Sequence, residues 1–555
     1  MKKILLLILI SLGYVLHAQI APDKYYIQFT DKEGTPYSID NPSAFLSERS
    51  ILRRQHQNIA ISEEDLPVNP AYLDAVEATG AGMLYPSKWL NGVTIETQSQ
   101  QVLDEIASLP FVSGFRSLPQ GLWKEQPKPK QFFKMEETGD HLRPESTYLK
   151  QSFSYNYGSG YTQISQINGI PLHDDGFRGE GMVIALLDAG YVATNTHIAF
   201  DSIRNNGQIL GTKDFVHPGG DVYTESSHGT SVLSTIASNV SGQLIGTAPK
   251  ASFWLLRSEF VQYEHVIEEY NWVSAAEFAD SVGADVINSS LGYIDFDYPI
   301  WDHSYSHMDG QTCIATIGAD IAASKGILVV NSAGNSGNSN SFPYIGSPAD
   351  GFKVFSIGAV TGNGDRASFS SIGPTYDGRI KPDVMAMGQG TAVATGSNSF
   401  SFSNGTSFSS PVMAGMAACL WQAKPGFTNL QIKDAIMQSG SYASDPDVYM
   451  GYGIPDMVVA YSLLTAIDTG HALSDPLISI HPNPISEELK IVYRSFRQLL
   501  DLTLMDAQGR VIHQGRYAGW ETATLRQQIL RLPAGIYLIQ ASDGQDKQTT
   551  KIVRL

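Results

Sequence analysis

Between residues 155 and 468, short apolar runs alternate with helix-like stretches, and this alternation constrains the fold more than any other feature of the chain. Met182 to Leu187, Ala284 to Asn288, Ile327 to Val330 and Val354 to Ile357 are rich in apolar residues at consecutive positions. Strands of this kind need cover on both faces, and helices between them supply it in a parallel sheet. The expected class is therefore α/β, with a doubly wound parallel sheet. The flanks read differently. Residues 24 to 118 open on the alternating strand Tyr25 to Phe29, and a helix follows, started by Asn69 and Pro70 and ended by Gly80. A strand around Trp89 to Ile95 comes next, then a helix with Val102, Leu103, Ile106 and Leu109 on one face, then a strand at Phe111-Val112. Beyond Thr469 the runs Leu500 to Leu504 and Gly535 to Ile539 alternate and are broken by turns, which predicts a small antiparallel β domain.

Lys2 and Lys3 precede the apolar run Ile4 to Leu16 and then Ala18-Gln19, the order of an export leader. That run is too short to span a bilayer, and no later stretch reaches the ~18 consecutive apolar residues a spanning helix needs. An exported protein without a transmembrane segment is expected. The 37 basic and 55 acidic residues leave a net charge of −18, which repels phosphate backbones and argues against a nucleic-acid partner. Cys313 and Cys419 are the only cysteines. Two cannot organise the chain through a disulfide framework or a thiolate zinc site, and both are expected to be unpaired core residues. The organisation predicted is a leader over 1–18, a small α+β domain over 19–118 and an exposed Lys/Pro linker over 119–154. The large domain then covers 155–468 and the β domain 475–555.

Three polar residues stand where a parallel sheet places reactive groups, at strand ends and helix starts. Asp188 follows an apolar strand, His228 opens a small-residue helix, and Ser407 lies in Asn404-Gly405-Thr406-Ser407-Phe408-Ser409-Ser410-Pro411 before an apolar helix. Each alone fits a blander role as a turn residue, a helix-start residue or part of a Ser-rich loop. Together they supply what a serine nucleophile needs: an imidazole to take its proton, and a buried carboxylate to orient that imidazole. Asn335, in Ser332-Ala333-Gly334-Asn335 after a further strand, adds an amide donor of the kind that stabilises the oxyanion of acyl transfer.

With His228-Gly229-Thr230, Asn288-Ser289-Ser290-Leu291-Gly292, Ser332 to Asn335, the Ser407 motif and Asp377 to Val384, the chain resembles the subtilisin-family (subtilase) serine proteases. The order Asp, His, Ser is the one subtilisin uses. The resemblance implies that Asp188 orients, His228 is general base and acid, Ser407 attacks, and Asn335 with the Ser407 amide forms the oxyanion hole. It puts Ser290, Leu291, Gly292, Ser332, Ala333 and Gly334 along the substrate backbone as pairing edges, and Gly346 at the floor of the primary pocket. Specificity is expected to be apolar or broad. The chemistry needs no cofactor, structural calcium is compatible with the family, and no metal ligand set is assigned. Residues 24 to 118 resemble the inhibitory propeptides of subtilases, with a ferredoxin-like order, which makes the protein a zymogen cut within 119–154. The tail resembles the C-terminal sorting domain of type IX secretion cargo, in Ile480-His481-Pro482-Asn483-Pro484, Leu532 to Tyr537 and Lys551 to Leu555. It implies an outer-membrane secretion partner and a secreted or cell-surface enzyme exported through the periplasm, while the subtilase resemblance implies protein or peptide substrates.

Overall fold

A computed structural model describes residues 19–21, 23–115 and 155–468, with 478–481, 485, 489–493, 500–517, 528–542 and 547–554 of the C-terminal part. The leader and the linker of 119–154 lie outside the described residues.

The N-terminal unit contains β1 (Gln19–Ala21), β2 (Lys24–Phe29), β3 (Gly82–Ser87), β4 (Gly92–Glu96) and β5 (Val112–Phe115). Its helices are α1 (Glu48–His56), α2 (Pro70–Glu77) and α3 (Gln100–Ala107). The antiparallel sheet runs β1-β2-β4-β3, with β5 sharing the free edge of β2, as a ferredoxin-like order requires. The period of two decides what each face of β2 does. Tyr25, Ile27 and Phe29 enter the unit's own core, whereas Tyr26 points the other way and stacks on Tyr270 of the large domain at 4.6 Å.

The large domain is built on seven parallel strands: β6 (Val183–Asp188), β7 (Ile209–Asp214), β8 (Ser252–Arg257), β9 (Val286–Ser289), β10 (Leu328–Ser332), β11 (Phe355–Val360) and β12 (Val384–Met387). Their order is β12-β11-β10-β9-β6-β8-β7. Along β6, Ile184 and Leu186 enter one core cluster while Val183, Ala185 and Leu187 enter the other, so the strand is apolar throughout because both faces are covered. Helices α4 (His228–Ala237) and α7 (Thr406–Ala423) contribute to the first cluster, and α5 (Ile267–Val282) and α6 (Ile314–Ser324) to the second. Helices α8 (Asn429–Gln438) and α9 (Met457–Asp468) complete the domain. From β6 the chain builds β7 and β8 on one side and β9 to β12 on the other. The strand order reverses there, and an open α/β sheet forms its binding crevice at the carboxyl ends beside that point. The C-terminal part has a four-stranded antiparallel sheet (Val511–Tyr517, Leu500–Asp506, Gly535–Ser542, Lys547–Arg554 in order) and the pair Ile478–His481 and Lys490–Tyr493.

His173 anchors the entry to this domain. Its Nε2 donates to Thr247 O at 2.8 Å, so Nδ1 accepts from the Tyr157 hydroxyl at 2.9 Å and the ring is neutral. Burial pushes its pKa down to about 4 from 6.5. The unfolded chain therefore takes up a proton below pH 6.5 that the folded one refuses until pH 4. The contribution of His173 to stability is full above pH 6.5 and falls by about 3 kcal/mol as pH drops to 4. Unfolding curves of the parent and His173→Asn should differ by this pH dependence, and the same pH dependence in both would exclude His173 as its source.

Candidate active site

Asp188 is the last residue of β6 and has no exposed surface. Its Oδ1 accepts the Ala189 N–H at 2.7 Å and lies 2.8 Å from His228 Nδ1. A carboxylate only accepts, so Nδ1 carries the proton and Nε2 is the basic nitrogen. His228 begins α4, with its amide held by Ser226 Oγ at 3.1 Å. Gly229 follows because α4 presses on the loop after Asp188: a Cβ there would stand 2.5 Å from Gly190 O. The close approach of helix and loop sets the Asp188–His228 distance.

Ser407 is the second residue of α7 and is fully buried. The sequence suggested an apolar helix from Val412; the helix starts six residues earlier and runs through Pro411. Pro411 has no N–H, so the Ser407 carbonyl four residues before it lacks its helical donor. The Ser290 hydroxyl supplies one, at 2.9 Å, and Ser407 Oγ donates in turn to Ser290 O at 3.3 Å. The nucleophile candidate is thereby fixed to the segment after β9. The ring of Phe408, next in the helix, lies 6.1 Å from that of His228. The Ser407 N–H is in the first helical turn, where amides have no intrahelical acceptor.

Asn335 follows β10. Its Oδ1 accepts from both the backbone N–H and the hydroxyl of Thr406, each at 2.9 Å. A backbone N–H can only donate, which fixes the amide orientation, and Nδ2 is left enclosed without an acceptor. One residue thus joins the Asn335 loop to the residue before Ser407.

Both expected pairing segments are bonded within the domain. Beside Gly292, Tyr293 N–H donates to Ser347 O at 2.8 Å, and the Ser290 and Leu291 carbonyls accept from Ser407 Oγ and Asn331 Nδ2. In the other segment Ser332 O accepts from Asn331 Nδ2, Ala333 N–H donates to Ile357 O, and Gly334 donates to Thr406 Oγ1 and accepts from Ser371 N–H. At Gly346 a Cβ would come within 2.9 Å of Ile294 Cγ1, so a side chain there would collide with the loop opposite.

Sequence reading missed Thr406 and named Ser290 only for its backbone, because their hydroxyls look like any others in a Ser/Thr-rich chain. It also missed α1. That helix brings Arg53 and Arg54 to Asp280 of α5 at 2.5 and 2.9 Å, where Lys88 joins at 3.0 Å. Glu277, one turn earlier, accepts from the backbone N–H groups of Lys88 and Trp89 and from the Ser87 hydroxyl. Burial would raise the Asp280 carboxyl, yet Lys88, Arg53 and Arg54 hold it below the usual aspartate value.

Comparison with known proteins finds three family models along the chain. Residues 179–454 match the subtilase family, 24–131 the peptidase S8 propeptide domain of Bacteroidota, and 479–554 the secretion system C-terminal sorting domain. Subtilisin NAT of Bacillus subtilis subsp. natto is 33% identical over 300 residues, covering 54% of this chain and 70% of the relative. Subtilisin E of Bacillus subtilis strain 168 gives the same identity and coverage. Among solved structures, the prenylagaramide maturation protease PagA aligns at 22% identity over 53% of this chain and 97% of its own, with a TM-score of 0.42.

Proposed function

Because the chain belongs to the subtilase family, we propose that Asp188, His228 and Ser407 are its catalytic triad and that Asn335 completes the oxyanion hole. The protein is a subtilisin-like serine endopeptidase made as a zymogen, and its sorting domain directs it to secretion or the cell surface. Ser407 Oγ attacks the scissile carbonyl while His228 Nε2 takes its proton, and Asp188 stabilises the imidazolium through Nδ1. The oxyanion receives hydrogen bonds from Asn335 Nδ2 and the Ser407 N–H. His228 then protonates the leaving amine, and water releases the acyl group by the reverse steps.

The observation that carries this reading is Asn335. Thr406 occupies its oxygen and leaves an enclosed amide nitrogen with no acceptor, a cost that an incoming carbonyl oxygen removes. Asn335→Ala is expected to lower kcat by roughly 10²–10³ with little change in KM. A variant with unchanged kcat would remove Asn335 from the site. Run over peptides that differ at the residue before the cut, the same assay checks the pocket. Gly346, Ile294, Ala333 and Leu291 bring no charge, which supports apolar or broad preference; a dominant requirement for a charged residue would refute it.

In this reading residues 19–118 are the inhibitory pro-domain, cleavage falls within 119–154, residues 155–468 are the peptidase domain, and 475–555 are the sorting tail that engages the outer-membrane secretion machinery. Deleting 475–555 is expected to hold the enzyme in the periplasm, as fractionation would read; unchanged export would overturn the tail's role. Among the described residues no helix is long and apolar enough to cross a membrane. Structural calcium has hard oxygen donors available in Glu259, Glu264 and Glu268, whose carboxylates lie within 4.8 Å of one another. Glu259 and Glu268 already accept hydrogen bonds from Tyr293, Phe260 and His265, and no catalytic step is assigned to a metal.

A further inference from the structure

We propose that Glu269, His303 and Cys313 form a zinc site that braces the wall of the substrate pocket. The three come from separate parts of the large domain. Glu269 is in the first turns of α5, Cys313 is the residue before α6, and His303 lies on the segment between them, its backbone held by Ile294 O at 2.7 Å. One carboxylate oxygen, Nε2 or Nδ1 of the imidazole, and the sulfur all lie within 4.8 Å of one another. Bond lengths to Zn²⁺ put ligand atoms of a tetrahedral centre roughly 3.3–3.7 Å apart, so small side-chain movements bring the donors to a shared ion.

Chemistry selects the metal. A sulfur, a nitrogen and an oxygen donor together are a borderline-soft set that suits zinc, whereas calcium and magnesium take oxygen alone. Two cysteines rule out an all-thiolate centre, and that sequence argument does not extend to a mixed site in which one thiolate suffices. Glu269 and Cys313 are each only 1% exposed, which makes their charged forms costly without a cation, and thiolate and carboxylate together neutralise Zn²⁺. His303 Nε2 now lies 3.2 Å from Glu269 Oε2, with its side chain 13% exposed, and so forms the solvent side of the site. The ring centroid of His307 is 5.6 Å from that of His303, and water completes the coordination.

Binding breaks the Cys313 S–H bond heterolytically; the proton leaves to water and the sulfur lone pair forms the S–Zn bond. Zinc takes the place between Nε2 and Oε2: the imidazole binds as the neutral tautomer with its one proton on Nδ1, and any second proton held between Nε2 and Oε2 leaves to water. No electrons are transferred. The consequence reaches the pocket through Ser347. Its hydroxyl is 3.4 Å from Glu269 Oε1, and its carbonyl accepts the Tyr293 N–H beside Gly292, with Gly346 its neighbour. A metal here ties α5, α6 and the 293–303 segment under those two loops.

The test uses the full chain carrying Ser407→Ala, which stays uncut, titrated with Co²⁺ and then Zn²⁺. The expected results are one ion per chain, a thiolate-to-cobalt charge-transfer band that Zn²⁺ abolishes, and a higher melting temperature with Zn²⁺. Cys313→Ser should lose the band and the thermal shift. His303→Gln should weaken binding by more than about tenfold, the least cost found for losing even an outer partner of a metal ligand. Cys419→Ala, altering a buried thiol bonded to Thr247 O and remote from this cluster in sequence, should change neither. Metal-free melting curves of the variants confirm that they fold. Absence of a stoichiometric ion in the parent, or a band that survives Cys313→Ser, would overturn the site.

Discussion

Ser407→Ala should lower kcat by about 10⁶ and leave the purified protein as one intact chain, with its N-terminal domain still attached. The scale follows from losing the nucleophile of a unit whose members act together: without it, His228 and Asp188 have no proton to move. What remains is the stabilisation supplied by the oxyanion donors and substrate binding, of order 10³–10⁴ over water. The substitution is mild structurally, because only the 3.3 Å hydrogen bond to Ser290 O is lost and the reciprocal bond from Ser290 Oγ to the Ser407 carbonyl stays. Turnover and intact mass therefore report separate things. Residual activity near the parent's would remove Ser407 from the chemistry, and spontaneous loss of the N-terminal domain from pure variant would refute self-processing.

Asp280→Asn should loosen the N-terminal domain by about 3–5 kcal/mol. Asp280 is one carboxylate among Arg53, Arg54 and Lys88, all essentially buried, and removing its charge leaves three cations without their shared partner. Arg54 retains Asp65, at 2.8 Å, which limits the loss on that side. Measured in the Ser407→Ala background, the double variant should show faster amide exchange and faster cleavage by added protease within 24–115, with 155–468 unchanged. In the active enzyme the same change should bring peptidase activity on earlier. Equal protection in both chains would mean that the Tyr26–Tyr270 stack and the backbone contacts to Glu277 hold the domain by themselves.

Four of the sheet's seven strands were legible as apolar runs, whereas the internal Ser252–Arg257 and the edge strand Val384–Met387, both largely buried, were not. Val183 to Leu187 is apolar at every position because the two core clusters divide its residues between them. Edge and surface strands were not legible. Ile209–Asp214, at the sheet's margin, mixes Ile, Leu, Gly, Thr, Lys and Asp, and Ser399–Ser403, which pairs with Thr391–Thr395 in a hairpin, carries serine at every second position. Helix α1 was missed because its inward face carries arginines, whose partner Asp280 is 226 and 227 residues away along the chain. No local pattern encodes that pairing. The start of α7 was hidden by Pro411, a residue that ordinarily marks a helix boundary; the freed carbonyl found its donor in Ser290, 117 residues distant. The residues proposed for the chemistry stood out because their types, order and places at strand ends coincide. The hydroxyls that position them were not, since each becomes distinctive only through the fold.

Labelling with a fluorophosphonate, followed by peptide mapping of the parent beside Ser407→Ala, decides whether Ser407 is the nucleophile. One label is expected, on Ser407, on a chain that begins between residues 119 and 154, and none on the variant. Label on another residue, or a folded and processed parent that takes up none, would contradict that role.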